Sequence, residues 1–137
     1  MIFLDTNVVS ETVRSQPDPR VLQWLKANDA ELALSSIVLA EIAFGVARIR
    51  PPERAKRLEG FVGSLRDHFK GRIHGFDERS AVIYGEIMGA AQLTGQGLST
   101  ADGMIAAIAF SHKAALATRN VRDFAFLKMK VVNPWEG

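Results

Sequence analysis

The sequence predicts an α/β protein built on a mainly parallel sheet with helices over both faces. Short apolar runs rich in Ile, Leu, Val and Ala recur at 2–4, 32–34, 114–117 and 131–132, with a weaker one at 73–76. Longer stretches with helical spacing separate them, as crossovers between parallel strands require. No repeat, low-complexity tract or linker interrupts the alternation. The 137 residues therefore read as one domain, 1–137, around a single core.

Taken in order, "IFL" is the first strand, and it runs straight into Asp5, Thr6 and Asn7. "PDPRVLQWLKAN" is a helix whose prolines suit its first turn, with Val21, Leu22, Trp24 and Leu25 on one face. The second strand leads directly into the helix "SSIVLAEIAFGVARI". "PPERAKRLEGFVGSLRDHF" reads as one helix with Leu58, Phe61, Val62, Leu65 and Phe69 as its apolar stripe. Two further helices are "ERSAVIYGEIMGAAQLTG", ended by Gly95 in a C-cap position, and "STADGMIAAIAFSHK". Trp24 and the terminal "NPW" are read as core packing.

Composition narrows the function. Without cysteine there is neither a disulfide framework nor a thiolate metal site, which is compatible with a reducing cytoplasm. Asp5 interrupts the only candidate signal segment, and no apolar run approaches the ~20 residues that span a bilayer, so a soluble protein away from membranes is expected. The net charge of +2 is unevenly spread. Residues 1–47 carry three basic and six acidic groups, a charge of −3; residues 48–72 carry eight and three, a charge of +5; the remainder balances at six and six. A basic middle beside acidic flanks attracts a polyanion while keeping a separate acidic pocket, although a solvated helix with pairs such as Glu53 and Arg57 accounts for it equally simply.

Sites in parallel sheets form outside the carboxyl ends of the strands, and Asp5 occupies such an end. Glu41 shares the apolar stripe of its helix with Ile37 and Phe44, where an ionised carboxylate is costly unless paired or bound to a metal. Asp102 opens a nearly uncharged helix, and Asn120 and Asp123 follow another strand. Each also has a structural use: Asp102 as the third residue after an N-cap Ser99, Asp123 likewise after Asn120, and Glu41 as a partner of Arg48. As a set they point elsewhere, because clustered carboxylates raise one another's pKa unless a cation intervenes. With only His68, His74 and His112 besides, an oxygen-only site calls for Mg²⁺ or Mn²⁺ rather than zinc.

The segments "FLDTNVVSE", "LAEIAFG", "STADGMIAA", "LATRNVRDF" and "VVNPW", in that order, resemble the PIN-domain nucleases across essentially the whole chain. Among these the chain is most similar to the VapC/FitB type, the toxin half of bacterial toxin–antitoxin pairs. The resemblance implies a three-layer α/β/α sandwich with an acidic pocket for Mg²⁺ or Mn²⁺, and a ribonuclease. It implies a homodimer held inactive by an antitoxin, with operator DNA reached only through that antitoxin. Carried over by position, Asp5, Glu41 and Asp102 are the family acids, with Asp5 and Asp102 the direct metal ligands. Asn120 stands where some relatives carry Asp, and Asp123 is taken as the fourth catalytic acid. Thr6, Asn7, Ser99 and Thr118 are candidate donors that fix the carboxylates. The basic segment, with Arg48, Arg50, Arg54, Lys56 and Arg57, is assigned to RNA or to the antitoxin. The rival expectation is a non-catalytic nucleic-acid-binding or co-repressor module acting with a partner. A haloacid-dehalogenase-like phosphatase fits poorly, since Asn7 stands where its second Asp belongs.

Overall fold

The computed structural model describes residues 1–136. Its five strands are β1 (Ile2–Leu4), β2 (Leu32–Ser35), β3 (Ile73–His74), β4 (Ala115–Ala117) and β5 (Val131–Val132). All pair in parallel, in the order β3-β2-β1-β4-β5. Ile2 stands opposite both Leu32 and Ala115, and Leu116 opposite Val131. The chain moves outward from β1 on one side, then returns to lay β4 on the other. The strand order therefore reverses between β1 and β4, which places a topological switch point at their carboxyl ends.

Seven helices cover the sheet: α1 (Thr6–Glu11), α2 (Pro19–Ala27), α3 (Ser36–Ala47), α4 (Phe61–His68), α5 (Glu78–Leu93), α6 (Thr100–Ser111) and α7 (Val121–Phe124). The near absence of charge in "TADGMIAAIAFS" is explained by burial. Residues 105–109 of α6 are all 0% exposed, as a helix apolar on every side must be. They pack with Phe3, Leu34, Leu116 and Phe124 in one core. Gly103 lets α5 approach α6: a β-carbon there would stand 2.5 Å from Met88 Sδ. Gly95, at φ +74, closes α5 as expected, with its N–H donating to the Gln92 carbonyl. Trp135 is 5% exposed and belongs to the core, and Trp24 packs half-buried against it.

Three expectations need correction. The stretch 51–69 is not one helix: a 3₁₀ segment spans Pro52–Leu58, and Gly60 at φ +81 separates it from α4. Its first half has only Ala55 and Leu58 half-buried, too little apolar face to hold a continuous helix against the core. Leu22 is 41% exposed, because Val21 rather than Leu22 takes the core side of α2. Glu53 and Arg57 form no ion pair among the described residues; Arg57 instead donates to the Val13 carbonyl at 2.9 Å.

Candidate active site

Asp5 is the last residue before α1 and serves as its N-cap, in extended conformation at φ −75° and ψ 161°. Its Oδ1 accepts the Thr6 N–H at 2.8 Å, and its backbone N–H donates to the Ala117 carbonyl at 2.9 Å. The second bond carries the sheet pairing past β1 and fixes the residue against β4. Across the switch point, the fully buried Thr118 hydroxyl donates to Asp5 Oδ2 at 2.7 Å. Thr118 Oγ1 in turn accepts from Asn7 Nδ2 at 3.3 Å and from the Asn120 N–H at 3.1 Å. Asn7 Oδ1 accepts from the Arg119 N–H at 3.3 Å. One hydroxyl thus ties the ends of two strands and the loop between β4 and α7 to a single carboxylate.

The other acids come from separate elements. Glu41 projects half-buried from α3 and accepts a hydrogen bond from the Thr6 hydroxyl; it makes no ion pair with Arg48. Ser99 caps α6 and accepts the Asp102 N–H at 3.1 Å, so the capping use of that pair is real, yet it leaves the half-buried Asp102 carboxylate within reach of the other acids. Asp123 lies exposed in the single turn α7, and Asn120 makes no side-chain cap there.

These acids feel one another. Burial pushes the Asp5 carboxyl above its ordinary range against the pull of Thr118 and Thr6, and the charges of Glu41 and Asp123 push the same way. Asp102 is raised by burial, then by Asp5, with Glu41 and Asp123 adding to the rise against the Ser99 hydrogen bond. Among the described residues none of the four acids belongs to an ion pair; the pairs present are Met1–Glu31, Arg14–Glu11, Arg20–Asp18 and His68–Asp29. The result is a rim of uncompensated negative charge.

Because both shifts are upward, the folded protein binds these two protons more tightly than the unfolded chain. Their contribution to stability is present at low pH and is lost as pH rises from 3.8 through the raised values. In metal-free buffer the stability advantage of Asp102→Asn over the parent is expected to grow as pH rises from 3.8 through the raised value of the Asp102 carboxyl. Paired urea unfolding curves measure this, and a pH-independent difference would refute the repulsion.

Oxygen donors of this kind suit a hard divalent cation. Among the described residues no three acidic or histidine side chains converge tightly enough to cage a metal. The arrangement fits an ion of the Mg²⁺ type, which keeps several waters and takes one or two carboxylates plus substrate phosphates.

Two hollows flank the rim. One of about 380 Å³ joins Thr6 and Glu41 to Arg14, Arg48 and Arg57. The other, about 460 Å³, joins Asn120 and Asp123 to Arg119, Arg122 and Asn133. The sequence reading overlooked Arg119 and Arg122, although both lie in "TRNVRDF" beside a candidate acid. Arg119 stacks 5.0 Å from the Trp135 ring centroid, a partner visible only after folding. A further buried acid, Glu11 at 3% exposure, is structural: it accepts the Asp18 N–H at 2.8 Å and pairs with Arg14.

The PIN domain model matches residues 2–129. Toxin FitB of Neisseria gonorrhoeae is 42% identical over 137 residues, covering 98% of this chain and 99% of that protein. VapC ribonuclease Y4jK of Sinorhizobium fredii is 39% identical, with 99% of each chain covered. A structure of FitAB bound to an IR36 DNA fragment superimposes with a TM-score of 0.91 at 41% identity, over 98% of this chain and 96% of that one.

Proposed function

The chain belongs to the PIN-domain family, and from that premise we propose that it is a metal-dependent endoribonuclease, the toxin of a type II toxin–antitoxin pair. The observation that supports this reading is that the charges of Glu41 and Asp123, from separate elements, act on both Asp5 and Asp102, with Asp5 at the switch point of a parallel sheet. Asp5 and Asp102 would hold Mg²⁺ or Mn²⁺. Bound there, the ion supplies Lewis acidity toward the scissile phosphate and toward water. Thr118 and the Thr6 N–H keep the Asp5 carboxylate aimed, and the Thr6 hydroxyl does the same for Glu41. Glu41 would ligate the ion through water or directly. Asp123 orients the attacking water; it is preferred to Asn120 because its charge acts on both Asp5 and Asp102.

The reading takes residues 1–137 as one domain, supported by the single sheet and core. No described helix is long and apolar enough to cross a membrane, and the cytoplasm is the compartment that supplies RNA. The antitoxin is assigned to the hollow beside Glu41, where Arg14, Arg48 and Arg57 stand among Ile42, Val46 and Phe61. Such a wall suits an apolar segment carrying acidic residues. Operator DNA is reached through that antitoxin. A homodimer is assigned to the outer face of α5, where Val82 is 63% and Leu93 is 90% exposed.

The deciding experiment is RNA cleavage by purified protein with Mg²⁺ or Mn²⁺ and with chelator. Ion-dependent cleavage supports the enzyme; binding of nucleic acid without cleavage under any ion favours the co-repressor alternative. A second expected result needs no substrate. Millimolar Mg²⁺ raises the Tm of the parent protein, because the ion binds only the folded rim and relieves its repulsion. An unchanged Tm counts against the site.

A further inference from the structure

A hollow of about 530 Å³, larger than either one at the acid rim, opens at the opposite pole of the sheet, under the amino ends of β1, β4 and β5. Its wall carries Lys113, Lys128 and Lys130, together with Phe110, which is 39% exposed. The one acid in that wall, Glu31, already pairs with the chain's terminal ammonium at 3.1 Å. None of the three lysines is in an ion pair among the described residues. Three ammonium groups therefore face one concavity without a counter-charge.

Lys113 adds an independent sign. It follows α6 in the left-handed conformation, at φ +54. The turn is closed by Lys113 N–H to the Phe110 carbonyl and Ala114 N–H to the Ala109 carbonyl, both at 3.0 Å. Glycine takes this position without steric cost, whereas a β-carbon is strained there. The lysine side chain is exposed and gains no core burial in exchange. A strained backbone that carries a charged side chain into an unneutralised hollow is the pattern of a binding residue.

The place of the hollow matters as much as its charge. It sits at the amino ends of β4 and β5, while the Arg119–Arg122–Asp123 hollow sits beyond their carboxyl ends. β5 is the edge strand, and Lys130 to Asn133 is three residues, about 10 Å of extended chain. Basic groups thus mark both ends of the β5 edge strand.

We propose that the lysine hollow is a second RNA contact: it holds backbone phosphates of a single strand that runs from the acid rim along the β5 edge, with Phe110 as the face on which a base stacks. The proposal rests on the ribonuclease reading for its ligand and extends it from the cut to the flanking strand. Lysines for the phosphates and an aromatic face for a base are the two parts of a single-strand platform.

The test uses the full chain with Lys113, Lys128 and Lys130 all changed to Ala. Labelled single-stranded RNAs of about 16 and about 4 nucleotides serve as probes, the range one such platform covers. Binding is read by anisotropy in chelator over a series of salt concentrations. The long RNA is expected to bind about tenfold more weakly to the variant, and its salt slope to fall by about 2, from three lost contacts. The short RNA, held by Arg119 and Arg122 beside the rim, binds as before. With Mg²⁺, KM for the long RNA rises by the same factor at unchanged kcat. Unchanged binding and slope for the long RNA overturn the proposal, and so does an equal loss for both lengths, which is general electrostatic steering. A parent protein that binds long RNA through these lysines but cleaves nothing keeps the contact and removes the nuclease reading. One that binds no RNA removes both. Lys113→Gly serves as a folding control: it is expected to raise Tm while still weakening the long RNA.

Discussion

Asp5→Asn is expected to abolish ion-dependent RNA cleavage, by at least ~10²-fold. That figure is a floor, since loss of a partner that merely orients a metal ligand already costs ~10–100-fold. The fold should survive. Asn caps a helix as well as Asp does, and its carbonyl oxygen still accepts the Thr6 N–H. The new amide faces a Thr118 oxygen that already accepts two hydrogen bonds, a local misfit offset by removal of a carboxylate whose ionised form is disfavoured by burial and then by the neighbouring acids. The variant should therefore melt close to the parent in chelator and show no rise in Tm on adding Mg²⁺. Two measurements separate the roles. Lost cleavage with a retained melting curve assigns Asp5 to chemistry; joint loss of cleavage and folding assigns it to capping and refutes the metal site.

Thr118→Val is the second change of large effect. The substitution keeps the volume and removes one hydroxyl. Asp5 Oδ2 loses its donor, and Asn7 Nδ2 and the Asn120 N–H lose their acceptor. Deleting a buried hydrogen bond to a carboxylate costs about 2 kcal/mol. The expected readouts are a Tm lower by several degrees and a cleavage rate reduced ~10–100-fold. Thr118→Ser, which keeps the hydroxyl, should recover most of both. Equal behaviour of Val and Ser would show that the hydroxyl does not position the acid.

Much of the molecule was legible before folding, for identifiable reasons. All five strands were marked by short apolar runs, clearest in β1, β2 and β4, whose burial within the parallel sheet leaves no polar face to alternate, and weakest in the half-buried edge strand β3. The lack of charge in α6 was visible in the sequence, and its burial in the structure accounts for it. The stripe from Leu58 to Phe69 misled, since the spacing of apolar residues continues through Gly60 although the backbone turns there. The Glu41–Arg48 pair was a neighbour rule applied to a side chain that instead finds Thr6, 35 residues away.

Oxygen chemistry without thiolates, the alternation of strands and helices, and the candidate acids Asp5, Glu41 and Asp102 were legible in the sequence alone, whereas the choice of Asp123 over Asn120 came from the resemblance to PIN-domain nucleases. Only the tertiary structure decided that β4 lies beside β1, and hence that Thr118 meets Asp5 across 113 positions of chain. It likewise gathered Lys113, Lys128 and Lys130 at the far pole. The physical reason is one of range. Periodicity and capping are set by neighbours within a turn or two, whereas strand order is settled by burial of the whole core, and no short window of residues carries that information.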